Sequence, residues 1–317
     1  MILITGGAGF IGSTLADKLI KKGEKIIVID NLNDYYDVRL KFGNVQENIK
    51  NSNYKIYVGD VCDEKLADKI FRENQIKTVV HLAARAGVRP SLEEPLEYVR
   101  SNIYGTVNIL ENMKKYNVEK LVFASSSSVY GNCKAEKFSE DLKVDEPISP
   151  YAATKSSCEQ FIYTYSKLYG INAVCLRFFT VYGPKQRPDL AIRKFSELIE
   201  QDKPIEMYGD GTTMRDYTYI DDIVDGICAA IEYNKTPFEI INLGGGSPVT
   251  LKEMISTIED TLGKKAEIKQ LPMQMGDVNK TVSDITKAKK LLKYNPKTSF
   301  REGVGKFIND EYAQQNN

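Results

Sequence analysis

The sequence predicts an α/β protein, a doubly wound parallel sheet with a smaller C-terminal lobe, on three observations. Short β-branched runs alternate with longer amphipathic stretches through the first half, the pattern of parallel strands joined by crossover helices. The first run, Met1-Ile2-Leu3-Ile4-Thr5, turns through glycines straight into a helical stretch. After Phe179 the alternation breaks into segments punctuated by Gly183-Pro184, Lys203-Pro204 and Gly209-Asp210-Gly211.

Along the chain, strands are expected at 1–5, 25–30, 54–59, 78–83, 120–125 and 172–178, with helices at 10–22, 64–74, 96–116 and 151–169 between them. Helical periodicity continues at 190–201, 221–233 and 251–262, and a short strand at 239–243 is placed to return to the main sheet. This divides the chain into a sheet domain over 1–179, rejoined by 216–245, and a lobe over 180–317. In such sheets ligands collect beyond the carboxyl ends of the strands, so the residues just past each strand are the candidates for function.

Composition excludes several classes of function. At 42% apolar and 27% charged the chain has a globular make-up, and 43 basic against 43 acidic residues give no net attraction to nucleic acid or to an anionic membrane. No apolar stretch approaches the ~20 residues that span a bilayer. No basic leader with an apolar core precedes the first strand, so a cytoplasmic protein is expected. Cys62, Cys133, Cys158, Cys175 and Cys228 lack metal-ligand or disulfide spacing and are expected to be reduced. His81 is the sole histidine, which removes histidine triads and multi-histidine metal sites, and no metal is expected. His81 itself ends an apolar run, where a packing or polar-edge role is expected of it.

Thr5-Gly6-Gly7-Ala8-Gly9-Phe10-Ile11-Gly12 spaces Gly6, Gly9 and Gly12 three apart between a strand and a helix. Glycine permits the tight turn and lets backbone approach a pyrophosphate, whose charge then sits at a helix N-terminus beside Phe10 and Ile11. A structural turn would explain the glycines alone. It does not explain Asp30 at the end of the second strand, where a carboxylate accepts from adenosine ribose hydroxyls and repels a 2′-phosphate, favouring NAD over NADP. Asn31 and Asn33 follow it; Asp60-Val61 are placed to meet the adenine, and Leu82-Ala83-Ala84 are small enough for backbone to lie along the cofactor. The expectation is a Rossmann-type NAD site.

A proton acceptor is expected at the start of the helix at 151–169, where Ser149 and Pro150 suit the cap and first turn. Tyr151 and Lys155 are four apart and face the same space. A phenol has a reference pKa near 10, and a nearby ammonium lowers it toward a usable base. Any helix can hold such a pair by chance. The hydroxyls of Ser125-Ser126-Ser127-Ser128, after the fifth strand and on the same carboxyl edge, supply partners for a reacting oxygen. The residues point to oxidation of a substrate hydroxyl, with Tyr151 taking the proton and NAD the hydride.

Over essentially its whole length the chain resembles the extended short-chain dehydrogenase/reductase family, and within it the nucleotide-sugar epimerases. The resemblance runs through the glycine loop, Asp30-Asn31, Asp60-Val61, His81-Leu82-Ala83-Ala84, Asn102 before Gly105-Thr106, the serine run, Tyr151 with Lys155, and Arg177-Phe178-Phe179. It continues through Tyr208-Gly209-Asp210-Gly211, Arg215-Asp216-Tyr217 and Gly276-Asp277-Val278. It implies that Tyr151 is the base, that Lys155 holds the nicotinamide ribose and polarises Tyr151, and that Ser126 partners the substrate's C4 oxygen. It also implies cofactor contacts for Ser125, Asn102 and Phe179, a diphosphate contact for Arg215 with Tyr208 nearby, and a uridine ribose contact for Asp277.

Closer still, Asn33-Asp34-Tyr35-Tyr36, Ala84-Arg85-Ala86-Gly87-Val88-Arg89, and Thr180-Val181-Tyr182-Gly183-Pro184 followed by Arg187-Pro188-Asp189 look like the UDP-glucuronate 4-epimerases. For a sugar with a C5 carboxylate, Ser127, Ser128, Thr180, Arg89 and Arg187 are then the candidate donors. Many relatives carry an arginine just before the Gly276-Asp277 pair, where this chain has Gln274, so Arg215 and Arg187 are left with more of the diphosphate charge.

The implied reaction is an NAD-dependent exchange of UDP-glucuronate and UDP-galacturonate through a 4-keto sugar that turns over in the site. Related dehydratases place an acid beside the strand-end hydroxyl. Ser127 and Ser128 stand there instead, which disfavours elimination and, less strongly, decarboxylation. The alternatives are 4-epimerisation of neutral UDP-hexoses or UDP-N-acetylhexosamines, decarboxylation of UDP-glucuronate, and a non-catalytic NAD-binding regulator, against which the tyrosine–lysine pair speaks. The resemblance also implies a homodimer formed through a four-helix bundle from 96–116 and 151–169.

Overall fold

The computed structural model describes residues 1–273 and 278–315, so Gln274 and Asp277 lie outside the described residues. Seven strands form one parallel sheet: β1 (Ile2–Thr5), β2 (Ile26–Asp30), β3 (Tyr54–Val58), β4 (Thr78–His81), β5 (Lys120–Ser126), β6 (Asn172–Phe178) and β7 (Phe238–Leu243). Their order is β7-β6-β5-β4-β1-β2-β3.

Successive side chains of a strand point to opposite faces, and this splits the sheet's apolar residues between two cores. Ile4, Val28, Val80, Val122 and Val174 join the core that holds Leu15 and Leu19 of α1 (Phe10–Lys21). Leu3, Ile27, Val79, Leu121 and Phe123 join the other, with Ile70 of α2 (Glu64–Glu73), Ile109 of α3 (Gly105–Lys115) and Ile162 of α4 (Pro150–Tyr169). Cover on both faces is why the strands read as near-continuous apolar runs. The chain leaves β3 at one edge and re-enters at β4 beside β1, so the strand order reverses between β1 and β4. In such sheets the crevice at this reversal is where a dinucleotide lies.

β7 pairs in parallel with β6 along its whole length and carries the chain back from the smaller lobe. The helix expected as one piece over 96–116 is broken. It runs as Pro95–Tyr98, a wide π-turn over Val99–Tyr104, and then α3. Within that turn the carbonyl of buried Asn102 accepts from the Thr106 hydroxyl at 2.5 Å and the Cys158 thiol at 3.2 Å, alongside the backbone N–H of Gly105.

The smaller lobe uses short ribbons: Ile205–Tyr208 with Ile268–Leu271, Met214–Arg215 with Val249–Thr250, and Thr180–Tyr182 with Tyr217–Tyr219. Asp216, fully buried, lies between the strands Met214–Arg215 and Tyr217–Tyr219 of the last two. Its carboxylate accepts from the backbone N–H groups of Gly245, Gly246 and Ser283 at 2.8, 3.1 and 2.9 Å, and from the Ser283 hydroxyl. No helix among the described residues is long and apolar enough to cross a membrane.

Candidate active site

Gly6 has a φ of +69°, and a Cβ there would sit 2.9 Å from the backbone of Ala83; a Cβ at Gly12 would collide with the Gly6 carbonyl oxygen. The turn thus packs bare backbone against the end of β4. α1 begins at Phe10 with Gly9 as its cap and no side chain on its first amides, which leaves them open to an anion. At the end of β2 the Asp30 carboxylate accepts from Ala8 N at 3.0 Å and Leu32 N at 2.9 Å, which fixes it beside the glycine turn. Past β3, Asp60 accepts from Cys62 N at 2.8 Å and from the Asn31 amide at 3.1 Å. Burial pushes the Asp60 carboxyl up, but the hydrogen bonds from Cys62 and Asn31 outweigh it and hold the group below the usual carboxylate range.

These strand ends open on a cavity of about 390 Å³. Gly6, Gly9, Phe10, Ile11 and Gly12 wall it together with Asp30, Asn31, Asn33, Asp60 and Val61. The wall continues through Leu82, Ala83 and Ala84 to Ser125, Ser126, Tyr151, Lys155 and Phe179. The donor set fits NAD: side-chain-free backbone and a helix N-terminus for the pyrophosphate, and carboxylates for ribose and adenine.

Tyr151 and Lys155 both enter the cavity from the first turns of α4, which Ser149 caps by accepting from Ala152 N at 3.1 Å. The Lys155 ammonium donates to the Ala124 carbonyl at 2.7 Å and lies 4.8 Å from the centroid of the Phe123 ring. Burial pushes Lys155 down to about 8, against the pull of Cys158, Glu159 and Cys175. The Tyr151 phenol is pushed up by burial, while the hydrogen-bonded Ser126 hydroxyl and the charge of Arg187 draw it down. Arg187 is thus the cation whose field reaches the phenol, while the Lys155 ammonium is turned to the strand backbone.

Ser126 also caps the 3₁₀ turn Ser127–Tyr130, accepting from Ser128 N at 3.1 Å. Ser127 and Ser128 lie in that turn and are not part of the cavity wall. Ser125 is in the wall, but its hydroxyl donates to Glu159.

Thr180 and Arg187 extend the wall beyond Phe179. Asp189 grips the Arg187 guanidinium, accepting from Nε at 2.9 Å and from Nη2 at 2.6 Å. Tyr35, Tyr36, Arg85 and Lys41 are wall residues that the sequence does not assign. A signal existed for the first three, which lie in the runs that carried the epimerase resemblance. None existed for Lys41, a lysine in an amphipathic stretch that proves 4% exposed and donates to Asn33 O and Oδ1 at 2.7 and 2.9 Å.

Asn102 stands behind the wall. Its carboxamide accepts from Arg85 N at 2.8 Å and donates to Arg85 O at 3.1 Å and Thr154 Oγ1 at 3.0 Å, so it braces the strand end from outside. Arg89, Tyr208 and Arg215 are also outside the wall. The structure does bring the first two together, with the Arg89 guanidinium 5.1 Å from the centroid of the Tyr208 ring. Arg215 lies in the ribbon next to the buried Asp216 and donates to Met214 O at 2.9 Å.

A family model, GDP-mannose 4,6 dehydratase, matches residues 3–307. The chain is 48% identical to the UDP-glucuronate 4-epimerase of Thermodesulfobacterium geofontis (strain OPF15), over 97% of this chain and 94% of that protein. It superposes on the UDP-glucuronic acid 4-epimerase of Bacillus cereus, solved in complex with UDP-glucuronic acid and NAD, with a TM-score of 0.93, 38% identity and 99% of each chain covered. It superposes also on the UDP-glucose 4-epimerase of Thermotoga maritima, solved with UDP-glucose, with a TM-score of 0.91, 34% identity and 99% of each chain covered.

Proposed function

The chain belongs to the GDP-mannose 4,6 dehydratase family of extended short-chain dehydrogenase/reductases, and from that premise we propose that it interconverts UDP-glucuronate and UDP-galacturonate by inverting C4. The observation that carries the reading is that one cavity wall holds an NAD-type glycine turn, the Ser126–Tyr151 pair and the guanidinium of Arg187. Asp189 occupies Nε and Nη2 of Arg187, and a uronate offers the remaining Nη1 edge a carboxylate that a neutral sugar lacks.

Bound NAD would supply the hydride acceptor for C4 and the hydride donor for the return to the opposite face. Tyr151, bonded to Ser126 and in the field of Arg187, takes the proton of the C4 hydroxyl and later gives it back. Ser126 holds the C4 oxygen in both orientations of the ring. Lys155 would hold the cofactor's nicotinamide ribose, Asp30 its adenosine ribose, and Asp60 would face its adenine. Arg187 and Thr180, which stand in the cavity wall, receive the C5 carboxylate. The 4-keto sugar is a β-keto acid, and a carboxylate held by these donors is kept out of the alignment that releases CO₂. Arg215, with Tyr208 nearby, receives the diphosphate.

The reading includes a cytoplasmic homodimer. Leu96 and Leu168 are 80% and 66% exposed, and with Val99 and Phe161 they leave apolar surface on the helices that a four-helix bundle with a second copy would cover. All five cysteines are free, as a reducing compartment keeps them. A ¹H NMR time course of the purified protein with UDP-glucuronate tests the chemistry: UDP-galacturonate should accumulate to a fixed ratio with no added reductant or oxidant. A UDP-pentose as main product, or a strong preference for UDP-glucose, overturns the assignment. Light scattering after size exclusion tests the dimer.

A further inference from the structure

The loop that follows Asp30 continues past the adenosine end of the cavity. Its polar side chains lock its course. Asn31 Oδ1 accepts from Asn33 N and Nδ2 at 3.2 and 2.9 Å, and Asn33 Oδ1 accepts from Tyr35 N at 3.2 Å. Lys41 donates to the Asn33 carbonyl at 2.7 Å while its ammonium lies 4.7 Å from the centroid of the Tyr36 ring. These bonds fix where Tyr35 stands.

Tyr35 donates through its hydroxyl to the Ala86 carbonyl at 3.4 Å, an acceptor shared with the Tyr98 hydroxyl at 3.1 Å. Tyr98 in turn meets Tyr151 edge to face, with ring centroids 6.1 Å apart. Two guanidinium carbons lie over the Tyr35 ring, Arg187 at 5.2 Å and Arg85 at 5.5 Å from its centroid. Arg85 is held by Glu94 at 3.3 Å, and Arg187 by Asp189 through Nε and Nη2, which leaves the Nη1 side of Arg187 as the edge available to a second carboxylate. Each guanidinium is drawn to the electron-rich face of the ring, which keeps both cations beside Tyr35 in the cavity wall.

We propose that Tyr35 is a positioning residue that sets specificity for an acidic sugar, stationing Arg187 and Arg85 where the substrate's carboxylate meets both. The inference rests on the proposed inversion of UDP-glucuronate. UDP-glucose shares the nucleotide and the C4 hydroxyl but has no carboxylate for the two cations, so it separates the role of Tyr35 from that of the rest of the site.

The test compares Tyr35→Phe, which keeps the ring, with Tyr35→Leu and Tyr35→Ala, which remove it. Calorimetry on NAD-loaded protein gives the Kd of UDP-glucuronate and of UDP-glucose, and kinetics give the KM and kcat for UDP-glucuronate. Loss of the ring should weaken UDP-glucuronate about tenfold more than UDP-glucose, raising KM rather than lowering kcat, while the Phe variant stays within about threefold of the parent. Equal weakening of both sugars, or no weakening, in a parent protein that prefers UDP-glucuronate overturns the role of Tyr35. A parent protein that binds both sugars equally overturns the underlying reading, and the inference with it.

Discussion

Thr106 sets the tautomer of His81. The Thr106 hydroxyl gives its proton to the Asn102 carbonyl at 2.5 Å, so at its 3.0 Å contact with His81 Nε2 it can only accept. His81 is therefore protonated at Nε2, and its Nδ1 accepts from the Thr5 hydroxyl at 2.6 Å. Thr5 Oγ1 accepts in turn from Leu82 N and Ala83 N, both at 3.1 Å. The neutral ring thus joins the π-turn of Asn102 to the strand end that walls the cavity.

Acid should destabilise the fold through this histidine. Burial, with Lys155 adding to it, pushes His81 down to about 3, against about 6.5 for an unfolded chain. Between those values the unfolded state binds more protons. The contribution is therefore present above about 6.5 and lost as pH falls toward 3, at up to about 1.4 kcal/mol per pH unit. Denaturant unfolding of the parent and of His81→Asn between pH 7 and 5 should show the parent losing about 2 kcal/mol more than the variant. Parallel pH dependences would mean that His81 does not stay neutral in the fold.

Removing the phenol should stop the chemistry and leave the cofactor in place. Tyr151→Phe should lower kcat by about 10²- to 10⁴-fold while the bound NAD, read by absorbance and chromatography of the released nucleotide, stays stoichiometric. Arg187→Gln should act on the same proton in a graded way. Arg187 draws the Tyr151 phenol down, so its loss raises the phenol, and the acid limb of the kcat–pH profile should move to higher pH. An unmoved limb would show that the guanidinium does not act on Tyr151.

The sheet was readable because its strands are buried on both faces and spaced by capped helices, and the glycine turn because a side chain at Gly6 or Gly12 has nowhere to go. What was not readable came from bonds between distant segments. Asn102 sits on a helical pattern with nothing to announce that it holds Arg85 from seventeen residues away. The Tyr151–Lys155 spacing gave the shared face but not the direction of the ammonium, which the Ala124 carbonyl sets. Arg187 came with the resemblance, whereas the Tyr35 ring beneath it depends on where two loops meet.

Lys155 costs the fold stability at neutral pH. Its ammonium is pushed down to about 8 by burial, while an unfolded lysine titrates near about 10.4. The unfolded chain binds more protons between those values, so stability tied to this group rises with pH across that window. Lys155→Met should therefore be more stable than the parent near pH 7 and lose that advantage by about pH 10, while turnover is abolished. Unfolding curves that keep a constant gap over that range would place the Lys155 titration elsewhere.

The same helix face carries a third group, Glu159, whose role can be separated from its effect on stability. Arg177 donates to it through Nε at 2.9 Å and Nη2 at 2.8 Å, the side chains being 2% and 5% exposed, and Ser125 donates to it as well. Ala124, Ser125 and Ser126 are thus held in turn by Lys155, Glu159 and Tyr151, so the ion pair registers α4 on the strand end that carries the reacting hydroxyl. Glu159→Ala leaves a buried guanidinium without its carboxylate and should cost about 3–5 kcal/mol in denaturant unfolding. Replacing both partners, Glu159→Leu with Arg177→Met, removes the stranded charge and should recover most of that loss. The double variant no longer pins Ser125, however, and its kcat should remain about tenfold low, the size of effect expected of a misplaced reacting group. Full recovery of kcat together with stability would reduce the Glu159–Arg177 pair to a packing element with no part in placing Ser126.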